Sequence, residues 1–181
     1  MMSLKRLVFE RMMDDDLFRQ MLAERARGIG RIDVDKYEHI DPNDPTSPLV
    51  LVDRAQGKNL FLNAGITQIW NLVTGVNTNT YTNAEAQIGI GDSSTAAAAG
   101  QTDLQAATNK TWKAMDATYP QVSAQSAIFR STFASGDANY VWAEFAVRRS
   151  TGTILLNRGV SAMGTKTSAG SWVTTVTLSI A

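Results

Sequence analysis

The sequence predicts a mainly β protein, an antiparallel β-sandwich or jelly-roll-like domain with one packed helix, preceded by an N-terminal helix and an extended arm. Three observations carry that expectation. Beyond Gly57 the chain is rich in Ala, Thr, Ser, Gly and Asn, the composition of short strands joined by tight turns. Short segments with apolar residues at every second position recur there at close spacing, with Gly, Ser and Asp between them. Charge is concentrated ahead of them: residues 1–58 hold 21 of the 34 charged side chains. The composition change places a boundary near Gly57, with a helix and arm over 1–57 and a β-domain over 58–181.

Ser3 is placed to cap a helix through "LKRLVFERMMDDDLFRQMLAERAR", with Gly28 as its stop. Leu4, Leu7, Val8 and Met12 form one apolar stripe, and Leu17, Phe18, Met21 and Leu22 form a second. The three Asp residues at 14–16 lie between the stripes. Adjacent helical positions point in different directions, so they read as a solvated cap and not as a metal cluster. From Ile29 to Asp53 the periodicity weakens. "HIDPNDPTSP" holds three of the four prolines, each lacking a donor and discouraging helix. This stretch reads as an extended arm, with Leu49, Val50, Leu51 and Val52 as a possible short strand. The two stripes and this apolar run suit an arm that orders against a partner.

"LFLNAGITQIWNLVTG" has Leu60, Ala64, Ile66, Ile69, Trp70 and Val73 at helical spacing and ends on Gly75. It predicts an amphipathic helix packed on the sheet by that stripe. Strand candidates follow at 86–92, 111–116, 126–133, 139–150 and 153–160, with Phe129 and Phe133 on one face of the third. In 139–150, Val141, Ala143, Phe145 and Val147 alternate with Tyr140, Trp142 and Glu144. The closing segment sets Trp172, Thr174, Val176, Leu178 and Ile180 against Val173, Thr175, Thr177 and Ser179. A strand of that quality is expected to be paired inside a sheet or covered by a neighbouring subunit.

Composition narrows the chemistry. There is no cysteine, which excludes disulfides, thiolate catalysis and cysteine zinc sites. His39 is the only histidine, and its Tyr, Glu and Asp surroundings read as surface. Charge is balanced, with 17 basic and 17 acidic residues, so nothing predicts a nucleic acid or membrane partner. No apolar run reaches the roughly 18 residues of a membrane span. The apolar start is interrupted by Glu10 and Arg11, unlike a signal peptide, so synthesis in a cytoplasm is expected. "GIGDSS" at 89–94 lacks the third glycine of a dinucleotide loop and the lysine of a P-loop. It reads as a strand end followed by an Ala-rich loop. Neither G-x-S-x-G nor H-E-x-x-H occurs. The sequence therefore predicts no enzyme, no cofactor and no metal. Glu144 is the one oddity, a charge inside an aromatic-flanked strand. It is expected to form a structural ion pair or subunit contact with Arg148 or Arg158.

The carboxyl-terminal two thirds resembles a broad group of bacteriophage virion proteins from tail, neck and head surface that share a β-domain. The resemblance runs through Asn63-Ala64-Gly65-Ile66 and "AQIGIGDSSTAAAAGQTDLQ", then Glu144-Phe145-Ala146-Val147 and Leu155-Leu156-Asn157-Arg158. It ends on Thr165-Lys166 and "SWVTTVTLSI". It departs at Ala146, where the group has glycine, and at Val147-Arg148, where it has leucine and phenylalanine. The resemblance implies a virion structural role made in a bacterial host cytoplasm. The leading expectation is a capsid decoration (cement) protein, whose partners are the major capsid protein and further copies of itself. The alternatives are a tail, neck or baseplate component, and a carbohydrate-binding module using Trp112, Tyr119, Tyr140, Trp142 and Trp172.

Overall fold

Alternation at the carboxyl-terminal end becomes a strand whose inner residues, Trp172, Thr174, Val176 and Leu178, are buried while their neighbours are half-exposed. This is the period-two burial of a strand with one face on a core. The structure is a computed structural model and describes residues 29–180. In chain order the elements are β1 (Ile29–His39), β2 (Leu49–Phe61), α1 (Asn63–Val73), β3 (Ala86–Gly91) and β4 (Lys110–Ala114). They continue as β5 (Gln121–Ser123), β6 (Ser126–Phe133), β7 (Val141–Arg149), β8 (Leu155–Thr165) and β9 (Gly170–Ser179). The fold is mainly β, with a single short helix among the described residues.

All nine strands belong to one antiparallel sheet, in the order β4-β3-β7-β8-β2-β1-β9-β6-β5. The sheet is curled, so its β4 end comes back against β6. The Asp116 amide, just past β4, donates to the Arg130 carbonyl of β6 at 2.8 Å. In return Thr132 donates from its amide and its hydroxyl to the Asp116 carboxylate, both at 2.9 Å. Inside the curl lies the main core, including Ile32, Val34, Ile88, Ile90, Phe145, Val147 and Val176. Its centre is aromatic. Trp142 meets Phe133 and Trp172 edge-on, with ring centroids 4.9 and 4.7 Å away, the geometry that ring quadrupoles favour. A smaller cluster of Leu62, Leu104, Ala146 and Leu155 lies apart from it, with Trp112 packed alongside.

Three expectations are corrected. Residues 29–57 are not an arm outside the β-domain: β1 pairs along its whole length with β9 and with β2, and Gly57 lies inside β2. The alternation was there in Ile32 and Val34, both fully buried. Charged residues on the other face and the prolines of the 40–48 turn obscured it. Second, α1 packs by a face turned about one residue position from the predicted stripe. Gly65 and Gln68 are buried and Ile69 of the stripe packs on the core, while Ile66, Trp70 and Val73 are exposed and Leu60 belongs to β2. Third, the irregular pairing between Trp142 and Glu144 changes the parity of β7. Trp142 therefore joins Phe145 and Val147 in the core, and Val141 is exposed. The helix expected over residues 3–27 lies outside the described residues.

Candidate interaction surfaces

The first surface is the free edge of β2. The β1–β2 ladder runs from Gly30↔Asn59 to His39↔Leu49, whereas β2 and β8 pair only at Asn59, Leu60 and Phe61. One further bond, from the Ser161 hydroxyl to the Gln56 carbonyl at 3.0 Å, reaches a little beyond that ladder. From Leu49 to Ala55 the outer side of the β2 backbone faces no strand among the described residues. Leu49, Val50, Leu51 and Val52 are 44, 42, 41 and 51% exposed. Successive strand residues point to opposite faces, so near-equal exposure of all four means that neither face has a core beneath it.

Charge pairs stiffen this hairpin across its two strands. Lys36 meets Asp53 at 2.6 Å, Arg54 meets Asp35 at 2.8 Å, and Gln56 donates to Asp33 at 2.7 Å. The hydrogen bond from Lys36 holds the Asp53 carboxyl below the usual aspartate range. The Lys36 ammonium also lies 4.9 Å from the Trp172 ring centre, a cation–π contact. At the tip, side chains supply the turn bonds. Asp41 accepts from the Asn43 amide and Asp44 from the Thr46 amide, while the His39 ring lies 2.6 Å from the Ser47 carbonyl. Thr46 holds the Asp44 carboxyl low by the same means. His39 thus belongs to the turn.

The second feature is a buried polar staple. Glu144 and Arg158 have fully buried side chains, with Nε and Nη2 of Arg158 both 2.7 Å from Oε2 of Glu144. Glu144 also accepts from the amides of Gln105 and Ala106 at 2.9 and 2.6 Å. Arg158 donates onward to Gln101 Oε1 and to the Thr95 carbonyl, each at 2.9 Å. The pair thereby fastens the 92–109 loop to the face of β7 and β8. Arg148, grouped with this pair by the sequence, takes no part in it. Its guanidinium stacks 3.9 Å from the Trp112 ring centre and its Nε donates to Gln87. Desolvation by burial lowers its pKa.

The glycines of "GIGDSS" serve the same face. A Cβ on Gly89 would lie 2.4 Å from the Trp112 ring, and one on Gly91 would lie 2.4 Å from Glu144 Oε1. Both glycines make room for neighbouring side chains, the packing use of the residue. Lys166 is also buried, donating to the Ala134 carbonyl at 2.7 Å and to Asn139 Oδ1 at 3.0 Å. Desolvation lowers its pKa.

Of the predicted arm contacts, Leu49, Val50, Leu51 and Val52 lie on the free edge. Leu4, Leu7, Val8, Met12, Leu17, Phe18, Met21 and Leu22 lie outside the described residues. β1 begins at Ile29, and Leu49 pairs with His39 at its other end. Trp142 and Trp172, two of the five aromatics considered for sugar binding, are in the core. Sequence reasoning missed the exposed Ile66, Trp70 and Val73 face of α1, because apolar spacing alone does not tell a buried stripe from an outward one. Among the described residues no group of three or more His, Asp or Glu is placed to hold a metal, and no helix is long and apolar enough to cross a membrane. The chain matches no protein-family model, no curated protein and no solved structure.

Proposed function

We propose that the chain is a structural subunit of a bacteriophage virion, a capsid decoration protein that binds the outer shell and stabilises it. The observation that carries this reading is the free β2 edge with four consecutive half-exposed apolar residues, Leu49–Val52. An open strand edge offers backbone donors and acceptors to an added strand, and alternate side chains supply specificity. Repeated over a lattice, such contacts give avidity beyond any single site. A subunit that binds assembled shell in preference to dispersed capsid protein stabilises the shell by mass action. In this reading the attachment element is the β1–β2 hairpin, the described part of the predicted arm. The sandwich-like, jelly-roll form is part of the same proposal, with the curl of β4 over β6 making the two layers. Partners are the major capsid protein and other copies of this chain.

The test is sedimentation of the purified chain with particles that lack it, followed by imaging. Wild-type protein is expected to co-sediment at lattice occupancy. The Leu49→Lys/Leu51→Lys variant is expected to remain folded by circular dichroism and to stay in the supernatant. Decoration by the variant at wild-type occupancy would remove the edge from the mechanism. A few copies at a single vertex would favour the tail or neck alternative, which the motif resemblance also supports.

A further inference from the structure

Arg148 is the arginine that the Glu144 pair leaves out, and its guanidinium is nonetheless held in place. The ring centre of Trp112 lies 3.9 Å from it, and its Nε donates to Gln87 Oε1 at 2.9 Å. Those contacts occupy one face of the group and one N–H. The two Nη groups have no hydrogen-bond partner among the described residues, and neither is sealed from solvent. A planar fork fixed by stacking, with its terminal N–H groups free, lacks only an acceptor.

The fork belongs to a cavity of about 470 Å³, a volume within the range of small-ligand sites. Its walls come from three elements: Ala64 of α1, Thr102 and Asp103 of the 92–109 loop, and the β7–β8 turn at Gly152 and Thr153. Asp103 is the acid of this lining, and it is already matched by the Lys110 ammonium at 2.6 Å. Counting Lys110, two bases stand against one acid, so Arg148 is the surplus charge. The first turn of α1 holds no acidic residue and no side-chain cap, so the helix dipole there adds to the positive potential. Burial already penalises the Arg148 charge. A partly desolvated cation gains more from an anion than one in open water.

We propose that this cavity is a carboxylate-binding site, with the Nη groups of Arg148 as the bidentate reader. The planar guanidinium matches the two oxygens of a carboxylate, and Thr102 and Thr153 bring hydroxyl groups to the lining. The carboxylate belongs either to a small free acid or to an acidic side chain of a partner protein. The inference stands on the cavity and the unpaired fork, independently of any virion role.

The test is NMR titration of the full chain, following the Arg148 Nε–H and Trp112 Nε1–H signals. The probes are acetate, glutarate, glutamate blocked at both backbone ends, its blocked glutamine counterpart, and inorganic phosphate. The carboxylates are expected to shift both signals saturably, with Kd on the order of millimolar, and the glutamine probe is not. Tighter binding of glutarate than of blocked glutamate supports the site with a free acid as its ligand, and the reverse supports it with a protein side chain. Arg148→Lys keeps the charge and loses the fork, and is expected to weaken binding about tenfold or more. Asp103→Asn leaves the Trp112 stack untouched and removes a repelling charge, so binding is expected to tighten severalfold. No saturable shift up to about 100 mM, or equal shifts from the glutamine probe, would overturn the proposal. So would weaker binding by Asp103→Asn, or undiminished binding by a folded Arg148→Lys. Phosphate binding tighter than every carboxylate would assign the cavity to a tetrahedral anion and overturn the carboxylate reading.

Discussion

Glu144 and Arg158 share a fully buried ion pair, and four polar groups of the 92–109 loop complete their hydrogen bonds. Burying two charges is costly, so the pair contributes little net stability while intact. Removing one partner leaves the other charged and unpaired, at a cost of about 3–5 kcal/mol. Glu144→Gln is therefore expected to lower stability by roughly that much in urea denaturation. The joint replacement Glu144→Leu/Arg158→Met is expected to lose much less. Hydrogen exchange at the Gln105 and Ala106 amides should accelerate in both variants, because both lack the carboxylate that accepts from them.

Gly65 sets how close α1 lies to β8. A Cβ there would sit 2.3 Å from the Leu156 carbonyl oxygen and 2.6 Å from its Cα, and backbone cannot yield as a side-chain tip does. Gly65→Ala is expected to destabilise by about 1–3 kcal/mol, despite the better helix propensity of alanine. Val73 is 70% exposed, and Val73→Ser is expected to stay within about 0.5 kcal/mol. Thermal melts of the two variants check directly which helix face packs inward.

How much of this was legible follows from how each element is held. β9 was readable because Trp172, Thr174, Val176 and Leu178 alternate without interruption. The existence of α1 was readable from its period, but its orientation was not. Its two buried residues are a glycine that admits the β8 backbone and a glutamine, Gln68, that donates to Asn77 Oδ1 and the Asn79 carbonyl. Neither carries an apolar signal. β1 was hidden because its core contribution rests on few residues beneath a charged outer face. Glu144 stood out in the sequence, whereas its choice of Arg158 over Arg148 depends on which strands neighbour β7. The apolar groove beside α1 was illegible, since its lining joins Ile69 of α1, Tyr119, Val122 of β5 and Ile180 from distant parts of the chain.

Gly89 and Trp112 are a fitted pair across β3 and β4. Gly89→Ala would push the indole off the β3 backbone and disturb its stacking with Arg148, at an expected cost of about 1–3 kcal/mol. Trp112→Leu removes the obstacle along with apolar contact, so the double variant should be less destabilised than the sum of the singles. A double-mutant cycle with a coupling of roughly 1 kcal/mol or more is the expected result. Strict additivity would mean that the ring moves aside without cost.

Asp137 ties the β6–β7 turn to β4, accepting from Lys113 at 2.6 Å and from the Ala134 amide at 2.9 Å. The hydrogen bond from Lys113 is the largest cause of its lowered pKa, opposed by desolvation. A carboxyl with a depressed folded-state pKa stabilises the fold above its unfolded value and loses that contribution as pH falls through the folded one. The loss therefore begins near the ordinary aspartate value of 3.8 and continues below it. Both partners are partly exposed, which holds the contribution to about 1 kcal/mol or less. Asp137→Asn should accordingly be less stable than wild type by a constant amount above about pH 5. The gap should narrow as the wild-type carboxylate is protonated, so the two acid-denaturation curves converge at the acid end. Chemical denaturation across that range measures the gap, and a gap independent of pH would assign the effect to the amide's altered hydrogen bonding instead of the lost charge.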